Sequence, residues 1–205
     1  MKMPHERIQD TIGFLGDQLE RGWSYFQCAK SLHKADQANK LSSARYFFIT
    51  VYQACLHEAV LVLSKLVIAH KDSITVFYLL DQAENNPHLF SHTTHENVDM
   101  FVKKHKELLG NYGSLIDSVR NQRDRVIAHL DRKHINDPST ISNLPVNMVE
   151  VEKCFQDILE IINVYKKYYD NSEFCLAHAQ QNIERDISFL TELIKTANRQ
   201  NLPAA

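Results

Sequence analysis

The sequence predicts an all-α protein, an up-and-down bundle of about six or seven helices. The 205 residues include only five glycines and five prolines, too few for the turns of a many-stranded fold. Apolar residues recur at steps of three or four along most of the chain, and no stretch alternates with a period of two for more than a few residues. We therefore predict one helical domain over residues 1–200 and a frayed tail over 201–205.

The first two predicted helices are long. Residues 6–34 carry one apolar face, and residues 41–70 are apolar nearly all round, as expected of a central core helix. The polar residues within 41–70 argue against a membrane span, which needs about 20 apolar residues. In its polar pair His57-Glu58, His57 is interpreted as a core histidine hydrogen-bonded to a neighbour, and a ligand or catalytic role is the alternative. Glycine weakens a helix by about 1 kcal/mol, so the three glycines of the first helix suggest close packing or a bend: Gly13, Gly16 and Gly22.

Two shorter helices follow in the predicted order. Asp72 and Ser73 are the predicted cap of a helix over 74–82, which ends in the asparagine- and proline-containing segment 84–87. Thr93 or Thr94 then begins a helix that reaches Leu109, where glycines break it.

Three helices complete the predicted bundle. The first spans 113–133, and a polar loop over 135–145 separates it from helices over 148–169 and 174–198. We expect the core to form from the helices at 41–70, 113–133 and 148–169.

Several classes of site lack their motifs in this sequence. There is no phosphate-binding glycine loop, no GxSxG, no HExxH and no Glu-x-x-His pair. His92 and His95 have a metal-ligand spacing, but no carboxylate or cysteine pattern completes that site, so we expect no metal and no cofactor. The cysteines lie far apart in the sequence, which predicts buried thiols in a reducing compartment, the cytoplasm: Cys28, Cys55, Cys154 and Cys175.

The most informative stretch is NQRDRVIAHLD, residues 121–131. On a helical wheel numbered from Ile116, Arg123 lies in the middle of an apolar stripe. Burying an unpaired guanidinium costs several kcal/mol, so Arg123 needs a partner, a cleft or another subunit. The rest of the stripe is apolar: Val119, Val126, Ile127 and Leu130.

Positive charge is concentrated around this stretch. Residues 101–135 contain eight Lys or Arg and four Asp or Glu, which gives +4 in a chain whose net charge is -2. Such a local excess is expected where a polyanion binds, and the alternative is an ordinary solvated helix face.

The pattern Arg123-Asp124-x4-His129 resembles the signature of the HEPN superfamily, Arg-x4–6-His with Asn, Asp or His after the arginine. The segment RDRVIAHLD, together with the long apolar helix before it, looks most like the corresponding part of the HEPN-like proteins of the abortive-infection U class. The resemblance implies an all-helical HEPN fold and a metal-independent endoribonuclease. It also implies a toxin or antiphage effector that works as a homodimer, with RNA as substrate and the site in the dimer cleft.

By this resemblance, Arg123 binds and neutralises the scissile phosphate. His129 positions or deprotonates the attacking 2′-hydroxyl or protonates the leaving oxygen, and Asp124 orients the pair. Arg125 is an alternative working arginine, because His129 leans towards it within one straight helix. Further basic residues nearby are the predicted RNA contacts: Arg120, Arg132 and Lys133.

One position departs from the family pattern. Asp131 stands two residues after the histidine, where HEPN toxins controlled by a nucleotidyltransferase antitoxin have a tyrosine. Regulation through that tyrosine is therefore in doubt, although an antitoxin protein is still a candidate partner. Two other hypotheses stay open: a non-catalytic HEPN-like module that binds RNA, a nucleotide or a partner protein, and a purely structural ion pair for Arg123.

Overall fold

A computed structural model gives the structure of residues 4–41, 44–69, 72–123 and 147–200. These residues form seven α-helices and no strand, so the all-α prediction is confirmed. The helices are α1 Pro4–Gln37, α2 Arg45–Val67, α3 Val76–Asn85, α4 His95–Gly110, α5 Gly113–Gln122, α6 Met148–Asp170 and α7 Ala177–Gln200. A short 3-10 helix, Pro87–Leu89, lies between α3 and α4.

The described residues form two compact units. The first contains residues through Leu19 and those from Val60 to Phe174, and the second contains Glu20–Ala59 and the residues from Cys175 onward. A single domain over 1–200 stays a prediction, and the tail 201–205 lies outside the described residues.

Helix α6 contributes an apolar face to the core of the first unit. Asn147 caps its start, because the Asn147 side chain accepts a hydrogen bond from the Val149 N–H at 3.0 Å. Asn171 ends the helix in the left-handed conformation, with φ 59°. The spacing of apolar residues in the sequence predicts a core face for this helix. Of that face, Val151, Phe155, Ile158, Ile162 and Tyr165 are buried, whereas Leu159 is half-buried.

Helix α2 differs from the helix predicted to be apolar and buried nearly all round. Its C-terminal part is buried, but Tyr46 is 91% exposed and Phe47 is 63% exposed. In the second unit only one side of this part of α2 is covered, where Phe48 packs with residues of α1 and α7. Those residues include Leu32, Ala35, Ile187 and Ile194.

The same helix qualifies as a membrane span by length and composition, contrary to the argument from its polar residues. Its best window has a mean hydropathy of 1.5, and 39% of that window is buried. One such helix is weak evidence, because the core helix of a globular protein passes the same test.

Three helix starts differ clearly from the predictions. Helix α2 begins at Arg45 and not at residue 41. Side-chain hydrogen bonds decide the starts of α3 and α7. Helix α3 begins after Thr75, whose Oγ1 accepts a hydrogen bond from the Tyr78 N–H at 3.2 Å, so the predicted cap at 72–73 is wrong. Helix α7 begins three residues later than predicted. Phe174 cannot join it, because the Phe174 N–H and C=O both bond the side chain of Asn163, at 2.7 and 3.0 Å. The cap at Thr94 is confirmed.

Of the glycines in α1, Gly16 has a packing reason. A Cβ at Gly16 would overlap Cζ of Phe174, whereas a Cβ at Gly13 would meet nothing within 4 Å. The interpretation of close packing is therefore confirmed for Gly16 and wrong for Gly13.

We expect Gly16→Ala to lower the free energy of unfolding by about 1–3 kcal/mol, because the Phe174 ring must move while Asn163 holds its backbone. Gly13→Ala is the matched control in the same helix. It should raise stability by up to about 1 kcal/mol, since alanine favours a helix. Urea unfolding followed by circular dichroism measures both, and equal stability changes would contradict the packing explanation.

Candidate functional site

Arg123 lies directly after α5, on the side of the helix that faces the core. Leu115 and Val119 are the buried residues of α5, and Arg123 follows Val119 by one helical turn with helical backbone angles and a half-buried side chain. The prediction that Arg123 falls on the apolar side of this helix is confirmed. The remainder of the predicted stripe, from Val126 onward, lies outside the described residues.

A cavity of about 510 Å³ lies beside Arg123, within the first unit. Residues from α1, from the end of α2 and from the segment before α3 line it together with Arg123. The residues at the end of α2, with Ile68 directly after it, follow one face at steps of three, one and three from Leu61 to Ile68. The lining residues are Phe14, Leu61, Ser64, Lys65, Ile68, Asp72, Ser73, Ile74 and Arg123.

The cavity combines an apolar wall with charged groups. Phe14 is 42% exposed, so an edge or face of its ring is available to a ligand. Of the charged residues that the structure describes, two cations, Lys65 and Arg123, and one carboxylate, Asp72, line the same space. Two cationic groups against one acid favour a ligand with negative charge.

The other predicted site residues divide into two groups. Arg120 is exposed, and its Nη1 donates to Asp117 Oδ1 at 3.0 Å, so it lies on the solvated side of α5 and does not line the cavity. The rest lie outside the described residues, and the pairing of Arg123 with histidine stays a prediction. They are Asp124, Arg125, His129, Arg132 and Lys133.

The described residues contain no group of three His, Cys, Asp or Glu that could hold a metal ion. His57 is half-buried, so its interpretation as a core histidine is wrong. Its neighbour Glu58 accepts a hydrogen bond from Arg21 Nη2 at 3.4 Å.

The cysteines also differ from the prediction of four buried thiols. Only Cys154 is buried, and burial raises its pKa to about 12. Cys28 and Cys55 are half-buried and share a hydrogen bond that lowers the pKa of Cys28 to about 7 and raises that of Cys55. Cys175 is exposed.

The structure buries a histidine, His105, that was not predicted to lie in the core. It is 1% exposed, and its Nδ1 lies 3.2 Å from the hydroxyl of Tyr165. Burial first, and the nearby Lys104 ammonium second, lower the pKa of His105 to about 4. The signal for its burial was its spacing with the apolar residues of α4: Val98, Val102 and Leu109. A neutral imidazole in the core is a packing and hydrogen-bonding group at neutral pH.

Comparison with known families identifies a family whose model matches this chain. HEPN_AbiU2, described as AbiU2, matches residues 15–190, which is most of the chain. That range contains Arg123 and His129 and every residue lining the cavity except Phe14. No curated protein and no solved structure matches the chain.

Proposed function

We infer the function of this chain from the family to which it belongs, the AbiU2 family of HEPN-like abortive-infection proteins. We propose that it is a metal-independent endoribonuclease, a toxin or antiphage effector that acts as a homodimer on RNA in the cytoplasm. The observation that carries the proposal is the position of Arg123. This first residue of the Arg-x5-His motif is half-buried at a cavity that also contains Lys65.

A half-buried guanidinium is suited to a phosphodiester. Arginine donates two parallel hydrogen bonds to phosphate oxygens, and partial exclusion of water strengthens the attraction between the charges. Negative charge grows on the phosphate oxygens during cleavage, so a fixed cation stabilises the transition state more than the bound substrate. Lys65 adds a second cation at the same cavity.

The reaction needs no metal ion. The 2′-hydroxyl of one nucleotide attacks the adjacent phosphorus while the bond from phosphorus to the 5′-oxygen breaks, which leaves a 2′,3′-cyclic phosphate and a 5′-hydroxyl. One proton leaves the 2′-oxygen and one reaches the 5′-oxygen, and His129 accepts the first or donates the second. Asp124 orients the pair, and Arg120, Arg132 and Lys133 extend the contact with the RNA backbone.

We propose that a second copy of the chain lets the two separated side chains act together; a bend in the helix or a substrate that spans both residues are the alternatives. In a straight helix His129 lies about 120° around the axis from Arg123 and about 9 Å further along it, so the two do not readily touch. A two-fold interface would bring two copies of each residue to one cleft. Asp131 stands where some HEPN toxins have a tyrosine that their antitoxin modifies. This chain cannot be controlled in that way, and a bound antitoxin protein is a candidate for its control.

The test is cleavage of a structured RNA by the purified protein in excess EDTA. We expect products with 2′,3′-cyclic phosphate and 5′-hydroxyl ends at the same rate with and without EDTA. Loss of cleavage in EDTA, restored by Mg²⁺, would contradict the metal-independent mechanism. Tight RNA binding without products over long incubation would favour the non-catalytic binding module instead.

A further inference from the structure

The cavity beside Arg123 extends well past the space that a phosphate group needs. Its volume of about 510 Å³ falls within the range of roughly 300–1,000 Å³ that is typical of small-molecule sites. A phosphate held at Arg123 would fill only a part of it, so the remaining walls indicate which other part of the ligand enters.

One wall suits a flat aromatic group. Phe14, with 42% of its surface exposed, lines the cavity together with the aliphatic side chains of Leu61 and Ile74, of which Ile74 is 38% exposed. Every nucleobase has a π-face that stacks on an aromatic ring, and such stacking tolerates any sequence. A base is therefore the ligand group that this wall fits.

The polar groups are of the kinds that a nucleotide needs. Ser64 is 1% exposed and its Oγ donates to the backbone oxygen of Leu61 at 2.7 Å, so it closes the cavity without offering a group to a ligand. Asp72 supplies an acceptor for a base amino group, and Lys65 and Arg123 supply cations for phosphate.

We propose that this cavity is a nucleotide subsite. The base of one ribonucleotide packs against Phe14 and the aliphatic wall, and its phosphate lies between Lys65 and Arg123. This deepens the proposed function, on which it rests, by naming the substrate as RNA with an unpaired nucleotide next to the scissile phosphate. A base within a duplex is paired and stacked on both faces, so only an unpaired base can enter a cavity.

Titration of the full-length protein with nucleoside monophosphates tests the subsite separately from catalysis, since these ligands cannot be cleaved. The probes are the four ribonucleoside 5′-monophosphates, each used alone, and ribose 5-phosphate, which lacks the base. Binding is followed by ligand-observed NMR up to 10 mM ligand. We expect at least one monophosphate to bind more tightly than ribose 5-phosphate.

Two variants separate the base contact from the phosphate contact. Phe14→Ala should weaken monophosphate binding at least about fivefold and leave ribose 5-phosphate unchanged, because it removes only the stacking surface. Lys65→Gln should weaken both ligands, because both carry the phosphate. Phe47→Ala and Lys153→Gln change exposed residues of the same types that do not line the cavity, and they should have no effect.

The outcomes for the subsite and for the nuclease are distinguishable. If no monophosphate binds, or if Phe14→Ala weakens ribose 5-phosphate as much as the monophosphates, the subsite is overturned even where RNA is cleaved in EDTA. If the expected pattern appears and RNA is not cleaved, the subsite stands and the nuclease is overturned.

Discussion

Arg123→Ala and His129→Ala should each slow RNA cleavage by a hundredfold or more. Removing one group that stabilises developing charge typically costs about 10²–10³ in rate, and removing a general acid or base about 10²–10⁴. Because the two residues act on one transition state, the double variant should be scarcely slower than the worse single variant. Initial rates on a labelled RNA in EDTA measure all three.

Matched controls separate catalysis from general effects of losing charge. Arg185→Ala and His178→Ala change exposed residues of α7, and both variants should cleave at the parental rate. Cleavage that persists in both Arg123→Ala and His129→Ala would remove these residues from the mechanism. The cleavage rate of Arg125→Ala, measured in the same assay, shows which arginine acts in catalysis. The catalytic arginine is the one whose removal slows cleavage more.

Unfolding of Arg123→Ala tests the purely structural hypothesis. If Arg123 were only a buried structural ion pair, its removal would lower the free energy of unfolding by about 3–5 kcal/mol. A nuclease role predicts a slow variant with a melting temperature close to that of the parent, because the side chain is only half-buried. A large loss of stability together with normal cleavage would support the structural ion pair.

Acid should destabilise the protein through His105, by up to about 3 kcal/mol. The pKa of His105 is lowered to about 4, below its value near 6.5 in an unfolded chain. Above pH 6.5 the imidazole is neutral in both the folded and the unfolded state, so its protonation does not change the free energy of unfolding. As the pH falls below 6.5, the unfolded chain binds a proton at His105 that the folded chain does not bind. The free energy of unfolding therefore decreases progressively down to about pH 4. The imidazole contacts the Tyr165 hydroxyl, and the charge of Lys104, on the same helix, also lowers its pKa.

His105→Gln isolates this contribution, because glutamine can still bond the Tyr165 hydroxyl but does not titrate. Urea unfolding of parent and variant at several values between pH 7 and pH 4.5 gives the two stability curves. We expect the parent to lose stability more steeply, whereas His178→Gln, at an exposed position, should follow the parent. Parallel curves for the parent and His105→Gln would contradict the assignment.

Most helices could be predicted because their signals are local. Apolar residues at steps of three and four identified α6 and its buried face, and Thr94 with Asn97 marked the start of α4. The same reasoning identified Arg123, a cation on the apolar side of α5. A charge that breaks a periodic stripe is visible without any knowledge of neighbouring helices, and the motif around it was enough to indicate the family.

The sequence by itself determined the helical class, the core face of α6 and the position of Arg123 on the apolar side of α5. Only the tertiary structure decided that Tyr46 and Phe47 are exposed, because exposure depends on which helices cover a face. It also decided that His105 meets Tyr165. Only the tertiary structure shows the cavity at Arg123, because Phe14 and Lys65 come from helices that lie far from Arg123 in the sequence. Periodicity reports which side of a helix is apolar, but contacts between distant segments depend on how the helices pack.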